Sequence, residues 1–162
     1  MSNNRFKFRC GITVSHYDDD GNDIETVLLV KDISLFDDGD VGFNKESLKE
    51  AVKEAVKREK LTEEEERTLW NSLDEYEVFE DWYQMSADFI EQCTGFKDKN
   101  GKLIYEGDVV LNKKGFKYTI RWHETDGYWA SVSMEKRWWI MEESKHYETI
   151  GNIHENKELL ND

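Results

Sequence analysis

The chain has 162 residues and a formal net charge of −14, from 22 Lys/Arg and 36 Asp/Glu. Apolar residues make up 38% of it and aromatic residues 13%, so it has the core-forming residues that disordered chains lack, and we expect a folded protein. No apolar run approaches the roughly 20 residues that cross a bilayer, and the N-terminus has no apolar signal segment. These features predict a cytoplasmic protein in which Cys10 and Cys93 are reduced and buried.

The acidic residues are concentrated in the N-terminal half. Residues 1–92 hold 11 Lys/Arg against 24 Asp/Glu, whereas residues 93–162 hold 11 against 12. A negative field of this kind repels nucleic acid and membrane phosphates and attracts basic surfaces. The alternative interpretation is that the charge serves solubility alone.

The first residues predict a β-hairpin. Apolar and polar residues alternate from Phe6 to Val14, which is typical of a half-buried strand, and a second strand is expected from Thr26 to Val30. The turn between them begins at Asp18 and resembles a calcium loop at first sight. Its sixth and twelfth positions are Asp23 and Leu29, however, where an EF-hand needs Gly and Glu, so we expect no metal here.

A helix is predicted after an acidic break at residues 37–40. Asn44 has the character of an N-cap, and Phe43 and Leu48 are spaced to form a hydrophobic staple around it. Apolar residues then recur at helical spacing. This segment is the start of an acidic helical insertion, which we place at residues 37–75.

A second helix is expected to begin at a capping box formed by Thr62 and Glu65 and to end near Leu73. Residues 75–85 then become rich in aromatic and β-branched side chains, which favours strands, although a helix stays open as an alternative.

The C-terminal half has the pattern of an antiparallel β-structure. Asn100 and Gly101 predict a hairpin with a type I′ turn, in which both central residues have positive φ. Several short strands at regular spacing predict a small barrel over residues 90–156, to which the N-terminal strand contributes, and hence an α+β fold. The remaining strands are expected at Leu103 to Leu111, Tyr118 to His123, Tyr128 to Met134 and Tyr147 to Ile153.

Two segments carry a resemblance to a known family. Residues 90–110 read IEQCTGFKDKNGKLIYEGDVV, and residues 147–160 read YETIGNIHENKELL. Both are similar, in this order, to the motifs of the YopX family of phage and prophage proteins, and Phe6 to Arg9 is a weaker match to its opening strand. The resemblance implies a single YopX-like domain over residues 1–162, a mostly β fold and a bacterial host cell. It implies no particular activity.

The chain departs from the family pattern in three ways. It lacks the Trp-Asp pair that usually follows the opening strand, it has Lys157 where proline is common, and it carries the long acidic insertion. The family-motif residues themselves suit turns, bulges and the core, and we interpret them as structural. They are Thr94, Gly95, Asp98, Gly101, Tyr105, Gly107, Asp108, Gly151 and Asn152. Val109, Ile150 and Ile153 are expected in the core with them.

No residue pattern predicts a catalytic site, a cofactor or a metal. The four histidines have no cysteine neighbour at ligand spacing, and there is no phosphate-binding glycine loop or nucleophile elbow. A carboxylate precedes a lysine by two residues at Glu143 and at Glu155, which leaves a metal-dependent nuclease as a remote alternative. We expect a protein that is not an enzyme.

Two binding hypotheses follow. Arg137, Trp138 and Trp139 combine the residue types that dominate protein interfaces, so the first hypothesis is a basic protein partner, for instance in host or defence machinery. Adjacent residues of a strand face opposite ways, so one tryptophan can belong to the core. The alternative is a nucleic-acid-binding barrel that uses single strands rather than duplex and contacts them with Lys97, Lys99, Lys102, Lys113, Lys114 and Lys117. Membrane binding is not expected, and self-association stays open.

Overall fold

The computed structural model describes residues 7–36, 40–74, 78–79, 82–141 and 144–160. Phe6, most of the predicted turn at 37–40, residues 75–77 and Glu143 therefore lie outside the described residues. The chain forms two compact units. We call residues 8–90 the N-terminal unit, and residues 1–7 together with 91–162 the C-terminal unit.

The predicted hairpin opens the N-terminal unit. Strand β1 pairs antiparallel with β2, with Cys10 opposite Val30 and Tyr17 opposite Asp23. A second antiparallel sheet has the strand order β3-β4-β6-β5. Because β6 pairs with β4 and β5, the helical alternative for residues 75–85 is wrong at residues 78–79 and 82–85. The strands are β1 Phe8–Tyr17, β2 Asp23–Lys31, β3 Ser34–Leu35, β4 Asp40–Asn44, β5 Val78–Phe79 and β6 Trp82–Ser86.

Both helices begin where the sequence predicts. Helix α1, Lys45–Glu59, has Asn44 as its N-cap, whose side chain accepts a hydrogen bond from the backbone of Ser47. Helix α2, Glu63–Leu73, begins with the complete capping box of Thr62 and Glu65. Their apolar faces join the hairpin in one core. That core includes Cys10, Ile12, Leu28, Phe43, Leu48, Val52, Leu69 and Leu73.

The C-terminal unit is built from antiparallel strands. Strand β7, Phe89–Lys97, enters it from the N-terminal unit and pairs with β8. The five-stranded sheet has the order β12-β11-β10-β9-β13, and its small core contains Ile104, Val110, Ile120 and Met141. The strands are β8 Leu103–Tyr105, β9 Asp108–Leu111, β10 Lys117–His123, β11 Tyr128–Ser133, β12 Trp138–Ile140 and β13 Glu148–Asn152.

The α+β class is confirmed, with two helices and antiparallel sheets of which one is barrel-like. Lys7, which precedes β1, also contributes to the C-terminal unit, because its carbonyl accepts a hydrogen bond from the Cys93 backbone in β7. The single strand predicted from Leu103 to Leu111 is wrong. Gly107 has φ +76°, and the Asp108 carboxylate accepts a hydrogen bond from the backbone of Tyr105, so a tight turn separates β8 from β9.

The turn at Asn100-Gly101 differs from the predicted type I′ geometry. Gly101 has φ +80°, but the non-glycine residues with positive φ in the described part of the chain do not include Asn100. The Asp98 carboxylate provides the reason, because its Oδ1 accepts hydrogen bonds from the backbone N–H groups of Asn100 and Lys102. Asp98 thus organises a wider turn that needs only one left-handed residue.

The net charge divides sharply between the units. The N-terminal unit holds 9 Lys/Arg and 23 Asp/Glu, a net charge of −14, whereas the C-terminal unit holds 13 of each. The C-terminal unit is therefore electrically neutral as a whole, and any charged patch on it is a matter of local arrangement. In the described part of the chain, neither helix is long and apolar enough to cross a bilayer.

Candidate binding surfaces

Strands β10, β11 and β12 form a meander that exposes aromatic side chains on both of its faces. Trp138 lies opposite Val132 of β11, and Trp139 lies opposite Ser131. Because side chains alternate along a strand, the two tryptophans point to opposite faces. Both are exposed, Trp138 by 43% and Trp139 by 44%, so neither belongs to the core. The reason is that β12 is the edge strand of its sheet.

We call the first of the two surfaces the β12 edge. It consists of Trp138 and Ile140, which share one face and are 43% and 56% exposed. The ring of Trp138 packs edge-on against His123, which is stacked on Tyr128. This stack holds the indole in place while one side of the strand stays open.

The backbone of the β12 edge is also available. Met141 donates its N–H to the Trp129 carbonyl, and Ser133 donates to the Arg137 carbonyl. In an antiparallel ladder the residues facing the partner strand alternate, so the backbone groups of Trp138 and Ile140 point away from β11. Within the described residues no strand pairs with this outer edge.

The second surface, which we call the hairpin groove, lies between two hairpin tips on the other face. It contains an open cavity of about 380 Å³. Trp139 packs edge-on against Tyr118 with 5.5 Å between ring centroids, and Phe116 is 59% exposed. The lining consists of Gly115, Phe116, Lys117, Tyr118, Ser133, Met134, Glu135, Arg137 and Trp139.

The tip that carries Phe116 is held by Asn112. Its side-chain oxygen accepts hydrogen bonds from the backbone N–H groups of Lys114 and Phe116. Gly115 completes the turn with φ +80°. The backbone at Phe116 is therefore fixed by the turn, while its ring is exposed.

The structure separates the predicted lysines into two groups. Lys117 lines the hairpin groove, and Lys113 and Lys114 belong to the tip beside it. Lys97, Lys99 and Lys102 lie instead on the β7–β8 hairpin, where Lys99 Nζ is 2.6 Å from a Glu148 carboxylate oxygen. The predicted protein-binding residues are also divided, because Arg137 and Trp139 line the groove and Trp138 belongs to the β12 edge.

The family model described as YopX protein matches residues 36–161, which include both surfaces and the helical segment. The chain belongs to the YopX family. No curated protein matches it.

The YopX motif residues have clear structural partners. The buried Thr94 hydroxyl donates to the carbonyl of Ile104, and the second oxygen of Asp98 accepts from the backbone of Thr149. Tyr105 and Val109 are buried as expected, whereas Ile150 and Ile153 are only half-buried. The motif thus ties β13 to the turns around β8.

A buried polar cluster that the sequence reasoning missed lies within the YopX motifs. Glu91 is 3% exposed, and its two carboxylate oxygens lie 2.9 and 3.2 Å from the Asn152 side-chain nitrogen. His154 Nε2 is 3.6 Å from the same carboxylate. A Cβ at Gly107 would collide with it, so only glycine fits there. The sequence held one clue to this cluster, because Glu91 lies in the first family motif and Asn152 in the second.

The remaining candidate groups are the Asp18 turn, the two cysteines and any cluster of metal ligands. Asp18 accepts hydrogen bonds from the backbone of Asp20 and from Asn22, and the Asn22 side chain is the main cause of the lowered pKa of Asp18. Cys10 and Cys93 are buried and are not joined in a disulfide, as predicted, and burial raises the pKa of Cys10 to about 12. Over the described ranges, no three His, Cys, Asp or Glu side chains are grouped to hold a metal.

Proposed function

We propose that this YopX-family protein is a non-enzymatic accessory protein that binds a basic protein partner along the β12 edge. The observation that carries the proposal is the open outer edge of β12, where the backbone groups of Trp138 and Ile140 point outward between their exposed side chains. An extended segment of the partner would add a strand here, as in other cases of β-augmentation.

The physical argument has two parts. Backbone hydrogen bonds to an added strand supply affinity that is independent of the partner's sequence, and the apolar side chains beside it supply specificity. Tryptophan is enriched among the residues that dominate interface energies, with losses of about 2 kcal/mol or more on truncation. A strand that presents Trp138 and Ile140 on one face meets both conditions.

The basic character of the partner follows from the charge. The net charge of −14 belongs to the N-terminal unit, and its long-range field accelerates encounters with positively charged proteins. The resemblance to phage and prophage proteins adds the setting, in which the partner belongs to the host or its defence machinery. The binding is then expected to weaken as salt is added.

The test passes a bacterial lysate over three immobilised baits. They are the wild-type chain, the double variant W138S/I140T and the control Y17S. Tyr17 is a comparably exposed aromatic residue, at 54%, in the N-terminal unit. We expect a basic bacterial protein to be retained by the wild type and by Y17S and to be lost from the double variant. With that protein purified, the double variant should raise Kd by about 30-fold or more, which corresponds to about 2 kcal/mol.

The outcome against the proposal is equally specific. If the double variant and Y17S retain the same proteins as the wild type with the same affinity, the β12 edge is not the interface. If the retained protein is acidic, or if binding does not change between low and high salt, the role of the charge is refuted.

A further inference from the structure

The hairpin groove is a second surface, built from other side chains than those of the β12 edge. Its walls are aromatic, with Phe116 on one hairpin tip and Trp139 facing Tyr118 beside the other. An exposed phenylalanine held by an Asn112 turn and an indole held by an edge contact are planar surfaces at defined positions. Such surfaces are what unpaired nucleobases stack on.

The charge around the groove is locally positive although the unit is neutral. The two segments that form it, residues 112–118 and 133–139, contain five basic side chains and one acidic one. The acidic one, Glu135, forms an ion pair with Arg137 at the rim. The basic ones are Lys113, Lys114, Lys117, Lys136 and Arg137.

We infer that the hairpin groove binds single-stranded nucleic acid, with bases on Phe116 and Trp139 and the phosphates of the strand on the surrounding lysines and Arg137. The cavity of about 380 Å³ falls in the range of about 300 to 1,000 Å³ that is typical of small-ligand sites. In a duplex the bases are stacked on one another, so their faces are not accessible to Phe116 and Trp139. An acidic peptide matches the charge, but its Asp and Glu side chains have no aromatic face to stack on the walls, whereas every nucleotide has one.

The experiment is a fluorescence-anisotropy titration of a labelled 15-nucleotide oligo-dT with the full chain at low salt. We expect F116A and W139A each to weaken binding about 5- to 150-fold, the range measured for loss of one stacked base. F116A removes an exposed ring and tests the proposal even if W139A folds poorly. The β12-edge variant W138S/I140T is the matched control and should bind like the wild type.

Two charge variants distinguish binding at a specific site from nonspecific electrostatic attraction. K113A/K114A should reduce the slope of log affinity against log salt by about 1.4, because each phosphate neutralised on a single strand contributes about 0.7. E135Q should tighten binding, since it frees Arg137 from its ion pair. A purely structural role for Glu135 would not produce a gain in affinity.

Three results overturn the inference: no binding of oligo-dT at low salt, equal binding of a duplex or of poly-glutamate of the same length, or unchanged affinity in both F116A and W139A. Failure of the β12-edge proposal leaves these results untouched, because its variant changes neither Phe116 nor Trp139. Conversely, loss of oligo-dT binding in W138S/I140T alone would show that the groove as defined is not the site.

Discussion

Asp98 supports the C-terminal unit through three backbone hydrogen bonds, and its replacement tests how the YopX motif stabilises the fold. Its Oδ1 accepts from Asn100 and Lys102 at 2.8 and 2.9 Å, and its Oδ2 accepts from Thr149 at 3.1 Å. In D98N the amide oxygen can still accept the hydrogen bonds from Asn100 and Lys102. The amide N–H₂ group takes the place of Oδ2 and cannot accept the hydrogen bond from the Thr149 N–H. Hydrogen bonds to charged acceptors contribute about 1.5 to 3 kcal/mol, so we expect D98N to lose about 2 kcal/mol and D98A about 4 kcal/mol.

The pH dependence gives an independent check. Burial acts to raise the pKa of Asp98, but the hydrogen bonds from Thr149, Lys102 and Asn100 outweigh it and the pKa is lowered. A carboxyl whose pKa is lower in the folded state stabilises the fold above its unfolded pKa of about 3.9, and this contribution is lost as the pH falls through the folded pKa. The difference between wild type and D98N should therefore shrink below about pH 4.

Urea denaturation followed by tryptophan fluorescence measures these losses, since four of the six tryptophans lie in the C-terminal unit. E124Q is the control, because Glu124 is an exposed acid of the same unit and its change should stay within about 0.5 kcal/mol. A loss below about 0.5 kcal/mol for D98N at pH 7, or a loss that persists unchanged at pH 3, would refute the reasoning.

Two further predictions concern packing. G107A should destabilise the C-terminal unit by more than the control G115A in the same urea assay. Both glycines have positive φ, but only at Gly107 would a Cβ collide with the Glu91 carboxylate, so equal losses would contradict the collision. The thiols of Cys10 and Cys93 should react with iodoacetamide at pH 8 at least about 100-fold more slowly in the native protein than in denaturant, because both are buried; rapid native labelling of Cys93 alone would show a reactive thiol.

The features that the sequence predicted well are local. The N-cap at Asn44 and the capping box at Thr62 depend on residues three positions apart, so their signals do not need the rest of the fold. The first hairpin likewise follows from alternation along each strand. The break between β8 and β9 was missed although its causes, the positive φ of Gly107 and the hydrogen bond from the Tyr105 backbone to Asp108, are local, because a glycine inside an apolar run also fits a bulge in one continuous strand. The collision of a Cβ at Gly107 with Glu91, 16 residues earlier, exists only in the folded chain.

The binding surfaces were predictable by composition but not by geometry. The tryptophan pair and the lysines were recognised, yet their grouping depends on which strand lies at the edge of the sheet and which hairpin tips are neighbours. The Glu91 and Asn152 contact joins residues 61 positions apart. Pairing of this kind is a property of the tertiary fold, and no local pattern in one sequence reports it.

The open β12 edge also has a consequence for the protein's behaviour at high concentration. An unpaired strand flanked by exposed Trp138 and Ile140 is a template on which a second copy can pair, and uncontrolled pairing of this type leads to aggregation. Copies that each carry a charge of −14 repel one another before their edges meet. We therefore expect the acidity of the N-terminal unit to limit pairing between copies along this strand. Turbidity should rise near the isoelectric point of about 4.7, where that repulsion disappears.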